Sequence, residues 1–156
     1  MGKEVIRMEY VLRPATVDDF DFMFALKKAN FKQYVEKIWG WEDDFQKEWL
    51  RKDLSQQPIR KQIIVVDGNV AGVYEAQMAD EGDYHINEIS LPPEYQDKGI
   101  GTALLTAVLR ENKQRGVKTM LQVFKDNKAK QLYERLGFTV SGETKTHYQM
   151  ELEPKR

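Results

Sequence analysis

The stretch Tyr84-His-Ile-Asn-Glu-Ile-Ser-Leu-Pro-Pro-Glu-Tyr-Gln-Asp-Lys-Gly-Ile-Gly101 limits this chain to few folds. Tyr84 to Leu91 reads as a strand, and Pro92-Pro93 ends it because proline cannot donate to a ladder. Gln96 to Gly101 is a tight loop with two glycines. Thr102 to Arg115 then reads as a helix, with Ile100, Leu104, Leu105, Val108 and Leu109 at helical spacing and Gly116 as its stop. Strand, glycine loop and helix together form an anion cradle. Glycines let backbone N–H groups close on a ligand, and the helix start adds unpaired donors and partial positive charge. A phosphate or pyrophosphate fits such a site. Within the strand, Tyr84 and Ile86 share one parity while Ile89 and Leu91 share the other. This slip of phase predicts a bulge near Asn87-Glu88, unless both faces of the strand are buried and no alternation is needed.

Two glycines alone are weak evidence. They miss the Gly-Lys-Ser/Thr of a P-loop and the G-x-G-x-x-G of dinucleotide sites. Gln96-Asp97-Lys98-Gly99-Ile100-Gly101 does resemble the pyrophosphate loop of the GNAT acetyltransferases, Gln/Arg-x-x-Gly-x-Gly/Ala. Leu121-Gln-Val-Phe-Lys-Asp-Asn-Lys-Ala-Lys-Gln-Leu-Tyr-Glu-Arg-Leu-Gly-Phe138 looks like a second motif of that superfamily, in the expected order and at the expected spacing. The clear match runs from about Ile86 to Phe138, and the first half matches only in its order of elements.

Composition agrees with one compact domain over residues 1–156, with 31% charged and 41% apolar residues. A net charge of -1 gives no general pull toward nucleic acid or membrane. The chain has no cysteine, which excludes disulfides, thiolate metal sites and a cysteine nucleophile and fits a reducing cytosol. Met-Gly-Lys-Glu does not read as a signal peptide, and no apolar run approaches membrane-spanning length, so a cytoplasmic protein is expected.

Along the first half, Glu4 to Arg13 alternates as a half-buried strand stopped by Pro14. Thr16-Val-Asp-Asp19 looks like a capping box before a helix with Phe20, Met23, Phe24, Phe31, Tyr34, Val35 and Ile38 at helical spacing. Lys27 interrupts that stripe, and Gly40 ends the helix. Glu42 to Leu54 is a second helix, with Phe45, Trp49 and Leu50 expected inward. Trp39 and Trp41 flank the corner and either wall an acceptor pocket or close the core beneath it. Lys61 to Val66 and Val70 to Met78 form a hairpin. Val117 to Phe124 is a strand reached by a parallel crossover, Asn127 an N-cap, and Ala129 to Leu136 a helix stopped by Gly137. Phe138 to Val140 and Thr146 to Leu152 form a final hairpin.

The resemblance implies an α/β (α+β) fold: a mixed, mainly antiparallel sheet of about six or seven strands with about four helices. Its central parallel strands splay apart to admit the pantetheine arm. It further implies acetyl-CoA as donor, no metal, and a primary amine as acceptor, on a small molecule or a peptide, in a monomer or homodimer. Backbone N–H groups of Asp97, Lys98, Gly99, Ile100, Gly101 and Thr102, beside Gln96, would hold the pyrophosphate. The Lys98 side chain either adds a cation or is a solvated lysine. Backbone groups of Ile89, Ser90 and Leu91 would pair with the pantetheine, and one N–H there would polarise the thioester oxygen. Asn127 serves as helix cap, as pantetheine partner, or as both. Tyr133 matches the tyrosine that typically protonates the leaving thiolate, though its spacing with Leu132 and Leu136 also suits a core tyrosine. Glu88, beside the expected bulge, is the candidate base or a solvent-facing strand residue. An alkyl ammonium must lose a proton before attack, which costs about 4–5 kcal/mol at pH 7. Gln122 stands where some relatives place a glutamate, and it cannot accept that proton, which speaks against the ribosomal-protein acetyltransferase mode. His85 and His147, the only histidines, read as surface strand residues without carboxylates at metal-ligand spacing. An acyl-CoA-binding regulatory domain without catalysis is the alternative on the same fold. A nucleotide-binding module is disfavoured by the missing Lys-Ser/Thr.

Overall fold

The computed structural model describes residues 9–56 and 59–154. Within these residues seven strands form one sheet in the order β1-β2-β3-β4-β5-β7-β6. They are β1 (Val11–Pro14), β2 (Lys61–Val66), β3 (Asn69–Met78), β4 (Tyr84–Ser90), β5 (Thr119–Phe124), β6 (Thr139–Glu143) and β7 (His147–Leu152). The helices are α1 (Phe20–Trp39), α2 (Asp43–Ser55), α3 (Ile100–Arg115) and α4 (Ala129–Arg135). Among the described residues only β4 and β5 pair in parallel; the other neighbours are antiparallel. The expected mixed sheet with four helices is therefore present.

Burial on both faces explains the apolar runs. Ile63 and Ile64 are adjacent and both fully buried, as are Val73 and Tyr74. Successive side chains point to opposite faces, so each pair feeds two cores. Ile63 and Val73 join Met23, Leu26, Leu50 and Leu54 under α1 and α2. Ile64 and Tyr74 join Ile100, Leu104, Leu105, Leu121 and Phe138 under α3 and α4.

Local chemistry sets the boundaries. Thr16 and Asp19 form the expected capping box: Asp18 N donates to Thr16 Oγ1 at 3.2 Å and Thr16 N donates to Asp19 Oδ2 at 2.8 Å. Arg13 clamps the same carboxylate with bonds of 2.8 and 2.9 Å, which holds the Asp19 carboxyl below its usual range. Gly116 is left-handed, and the next N–H, of Val117, closes the helix on Asn112 at 2.9 Å. This delays β5 to Thr119, two residues later than the sequence suggests.

β1 ends at Pro14, as expected, with Pro14 itself the last paired residue, opposite Gln62, on an edge strand where its missing N–H costs no ladder bond. The expected first half of that strand, Glu4 to Met8, lies outside the described residues. On α2, Leu50 is buried, but Phe45 and Trp49 are 57% and 53% exposed and pack edge-on against each other. The buried stripe is instead Gln46, Leu50 and Leu54, spaced four apart and offset by one from Phe45 and Trp49. No helix among the described residues is long and apolar enough to cross a membrane.

Candidate active site

The expected bulge is present. Glu75 pairs with Glu88 and the next residue, Ala76, pairs with Ile86, so Asn87 is the unpaired extra residue of β4. The parallel ladder with β5 stops at the same place, after Ile86 opposite Leu121. Beyond it the two strands separate. Ile89 and Ser90 stay paired to β3 on one side, opposite Tyr74 and Val73, while β5 has left the other side.

A cleft of about 1190 Å³ fills this gap. Its long wall runs from β4 to the glycine loop and the start of α3, and its far wall is β5 and α4. Asp97 and Gly99 both take left-handed backbone conformations, with φ of 59° and 84°. No side chain caps α3, so the N–H groups of its first turn have no side-chain partner. A Cβ built on Gly99 would touch nothing within 4 Å, and one on Gly101 would meet only Leu91 at 3.8 Å. The loop is thus an open concavity of free N–H groups, the chemistry a phosphate requires.

The sequence-predicted residues gather here with few exceptions. Glu88, Ile89, Ser90, Leu91, Gln96, Asp97, Gly99, Ile100, Gly101, Thr102, Asn127 and Tyr133 all line the cleft. Lys98 does not; its side chain is exposed beside the loop. Gln96 donates its amide to the Leu91 carbonyl at 2.8 Å, and Asn30 of α1 donates to the same oxygen at 3.0 Å. The end of β4 is therefore tied to both the loop and α1. Asn127 Oδ1 accepts from Ala129 N, the first residue of α4, at 2.9 Å, but it stands one residue ahead of Lys128, which holds the N-cap position. Burial raises the Tyr133 phenol above its usual pKa, so it stays protonated at neutral pH. Its ring meets Phe138 edge-on at 5.9 Å.

Glu88 is held at both oxygens. Lys61 Nζ lies 3.2 Å from one, and Ser90 Oγ donates to the other at 2.9 Å. Lys61 also pairs with Glu75 at 2.6 Å. Burial works against the lysine's charge, but the two carboxylates outweigh it and raise its pKa.

Other placements were not visible in the sequence. Asn30, Phe31 and Tyr34 of α1 cover the cleft, and Lys128 and Arg135 stand on its rim as cations. Both histidines line it too. His147 lies tilted against Phe124, with ring centroids 4.1 Å apart, and burial lowers its pKa. His85 does have carboxylate neighbours: Glu81, Asp83 and His85 bring one ligand atom each within 4.8 Å of the others. Lys118 reaches Asp83 at 4.0 Å, so this cluster reads as a charge-paired corner. Trp39 is 64% exposed. Trp41 donates to Asp43 Oδ1 at 2.7 Å and closes the corner between α1 and α2. Neither tryptophan lines the cleft or the smaller cavity beneath α1 and α2.

Comparison with known proteins agrees with this geometry. An uncharacterized N-acetyltransferase of Methanocaldococcus jannaschii is 31% identical over 144 residues, covering 83% of this chain. The chain spans 60% of the length of that curated relative. The fold is that of the PaiA N-acetyltransferase of Thermoplasma acidophilum in complex with coenzyme A. That match has a TM-score of 0.70 and 19% identity, covering 94% of this chain and 99% of the other. An acetyltransferase of Thermus thermophilus matches with a TM-score of 0.72 and 16% identity, covering 96% of this chain and 98% of the other. The sequence profile of the acetyltransferase (GNAT) family matches residues 21–138, most of the chain and both of its motifs, so the chain belongs to the GNAT acetyltransferase family.

Proposed function

We propose that this protein moves an acetyl group from acetyl-CoA to a primary amine by direct attack. The observation that carries this reading is the gap between β4 and β5, opened beside the Asn87 bulge and ending on the uncapped start of α3. The residues fit the donor. Free N–H groups from Asp97 to Thr102 meet the pyrophosphate, and Lys128 and Arg135 add positive charge at the rim. The unpaired edge at Ile89 and Ser90, with Leu91, takes the pantetheine as an added strand.

Acetyl-CoA supplies an acyl carbon activated by a thiolate leaving group. Glu88 accepts the ammonium proton, directly or through one water. The amine nitrogen bonds to the acyl carbon, the C–S bond breaks, and sulfur keeps its electron pair. An N–H of the β4 edge donates to the acyl oxygen as charge gathers there. Tyr133 gives its proton to the sulfur. As the amide forms, its nitrogen gives its second proton to water, and water returns the proton from Glu88 to the Tyr133 phenolate, so both groups end as they began and one proton is released. Burial raises the tyrosine pKa, and the same dry surroundings make a thiolate more basic, so both shift in the same direction. Holding the reactants in line can contribute about 7–11 kcal/mol on its own.

The test is thiol release from acetyl-CoA across a panel of amines. Donor binding is tested separately. Acetyl-CoA or CoA at a hundred times its dissociation constant should stabilise the protein against heat by about 2.7 kcal/mol, and ATP or NAD should not. Gly101→Val should fold, because the space beside Gly101 is open, but should bind CoA more weakly as its side chain crowds the phosphate approach. Equal stabilisation by ATP, or wild-type affinity in the valine variant, would remove the donor assignment.

A further inference from the structure

A second cavity of about 230 Å³ lies under α1 and α2, against β2, β3 and β4. It shares Phe31, Asn87, Glu88 and Phe124 with the donor cleft. The two spaces therefore meet at the bulge, with Glu88 on both. Its walls divide by chemistry. Met23, Val35, Leu50 and Val73 make an apolar floor. Lys27, Lys61, Asp53 and Glu88 supply the charges.

Those charges are not evenly matched. Lys61 is already neutralised by Glu75 and Glu88. Lys27 makes no ion pair among the described residues, although it sits in the middle of α1, where it breaks the apolar stripe. Burial and the nearby Lys61 both disfavour its charge, and Glu88 and Asp53 only partly offset them. A half-buried cation facing a cavity without a paired anion is costly. An anionic group on a ligand would relieve that cost, while Glu88 a short way off attracts an ammonium. Drug-sized ligands need about 300–1,000 Å³, so this cavity takes something smaller.

We propose that this cavity is the acceptor site and that it takes a small amine bearing a carboxylate, with Lys27 pairing the carboxylate and Glu88 the amine. A free α-amino acid with an apolar side chain is the simplest such molecule. A peptide N-terminus lacks the nearby carboxylate and is disfavoured. This inference rests on the acetyltransferase reading and gives it a substrate class.

The experiment uses matched acceptors: L-leucine, L-leucinamide and the decarboxylated amine 3-methylbutylamine, with methionine and its amide as a second series. Values of kcat/KM come from thiol release with saturating acetyl-CoA. Leucine should be preferred over its amide by about 10–100-fold, the worth of one charge-assisted contact. The amide's amine is the more easily deprotonated, so this order cannot arise from amine basicity. In Lys27→Met the preference ratio should fall to near one, and in Lys27→Arg it should largely return. Methionine suits the apolar floor and removes a buried charge, so the variant should fold. Heat stabilisation of the CoA complex by each acceptor reads the same preference without turnover.

Equal or better use of the amide or the plain amine by the wild-type protein overturns the substrate class. An unchanged ratio in Lys27→Met overturns the role of Lys27. A protein that releases no thiol with any amine, yet is stabilised by leucine and not by leucinamide, keeps this site and loses the transferase reading. No turnover and no difference in stabilisation would overturn both.

Discussion

Turnover by the Tyr133→Phe enzyme is expected to fall about 10²–10⁴-fold, the usual worth of a positioned acid. The ring stays, so its edge-on contact with Phe138 and the packing of α4 survive. Only the hydroxyl is lost. Donor affinity should change little, because that hydroxyl serves the leaving sulfur more than the bound ground state. A lower kcat with unchanged donor binding marks an interaction made in the transition state. Calorimetric acetyl-CoA titration beside steady-state rates makes the measurement. Near-normal turnover, with chemistry shown to be rate-limiting, would return Tyr133 to a packing role.

Gly72→Ala should do its damage through the backbone. A Cβ there would lie 2.4 Å from the Ser90 carbonyl oxygen, 2.7 Å from Leu91 Cδ2 and 3.2 Å from Ile64 Cδ1. The nearest atom belongs to the main chain, so no side-chain rotation relieves the clash. β3 and the end of β4 must move apart. Overpacking of this kind costs about 1–3 kcal/mol, which lowers Tm by several degrees in a chain of this size. The displaced segment also carries the proposed pantetheine edge, so CoA affinity should fall about tenfold or more, since small misplacements are costly at such a site. An alanine variant with wild-type Tm and CoA affinity would show that the contact yields freely.

Features set by neighbours in the sequence are legible in it, and features made by tertiary contact are not. The glycine loop, the Thr16 capping box, the Asn127 bond to the start of α4 and the Gly116 stop each depend on residues within a few positions of one another. The bulge at Asn87 was visible because a one-residue insertion reverses the parity of every later apolar residue, and Ile89 and Leu91 recorded that reversal. The direction of α2 was not visible. Its aromatic residues outrank Gln46 in hydrophobicity, yet packing against β2 and β3 selects the face of Gln46, Leu50 and Leu54. The charged group around Glu88 was equally hidden. Lys61 and Glu75 meet because β2 and β3 pair, and Glu88 meets them because β4 lies next, a coincidence of register rather than of spacing. Lys27 stood out as a break in a stripe, but only the folded chain shows what it faces.

The short ladder between β4 and β5 has a consequence for motion. The two sides of the sheet, β1 to β4 and β5 with β7 and β6, are joined by three paired positions, Tyr84 to Ile86 with Thr119 to Leu121. Each side is otherwise laced by longer antiparallel ladders. The single sheet therefore narrows to a short seam at its middle, and a molecule lodged in the opening acts as the missing stitches. Amide hydrogens at the parting ends, Ile89 to Leu91 and Val123 to Phe124, should exchange with solvent sooner than those of β2 and β3. Filling the gap with CoA should slow them together. The ligand would then be part of the sheet for as long as it stays, and its departure would be a small unfolding event.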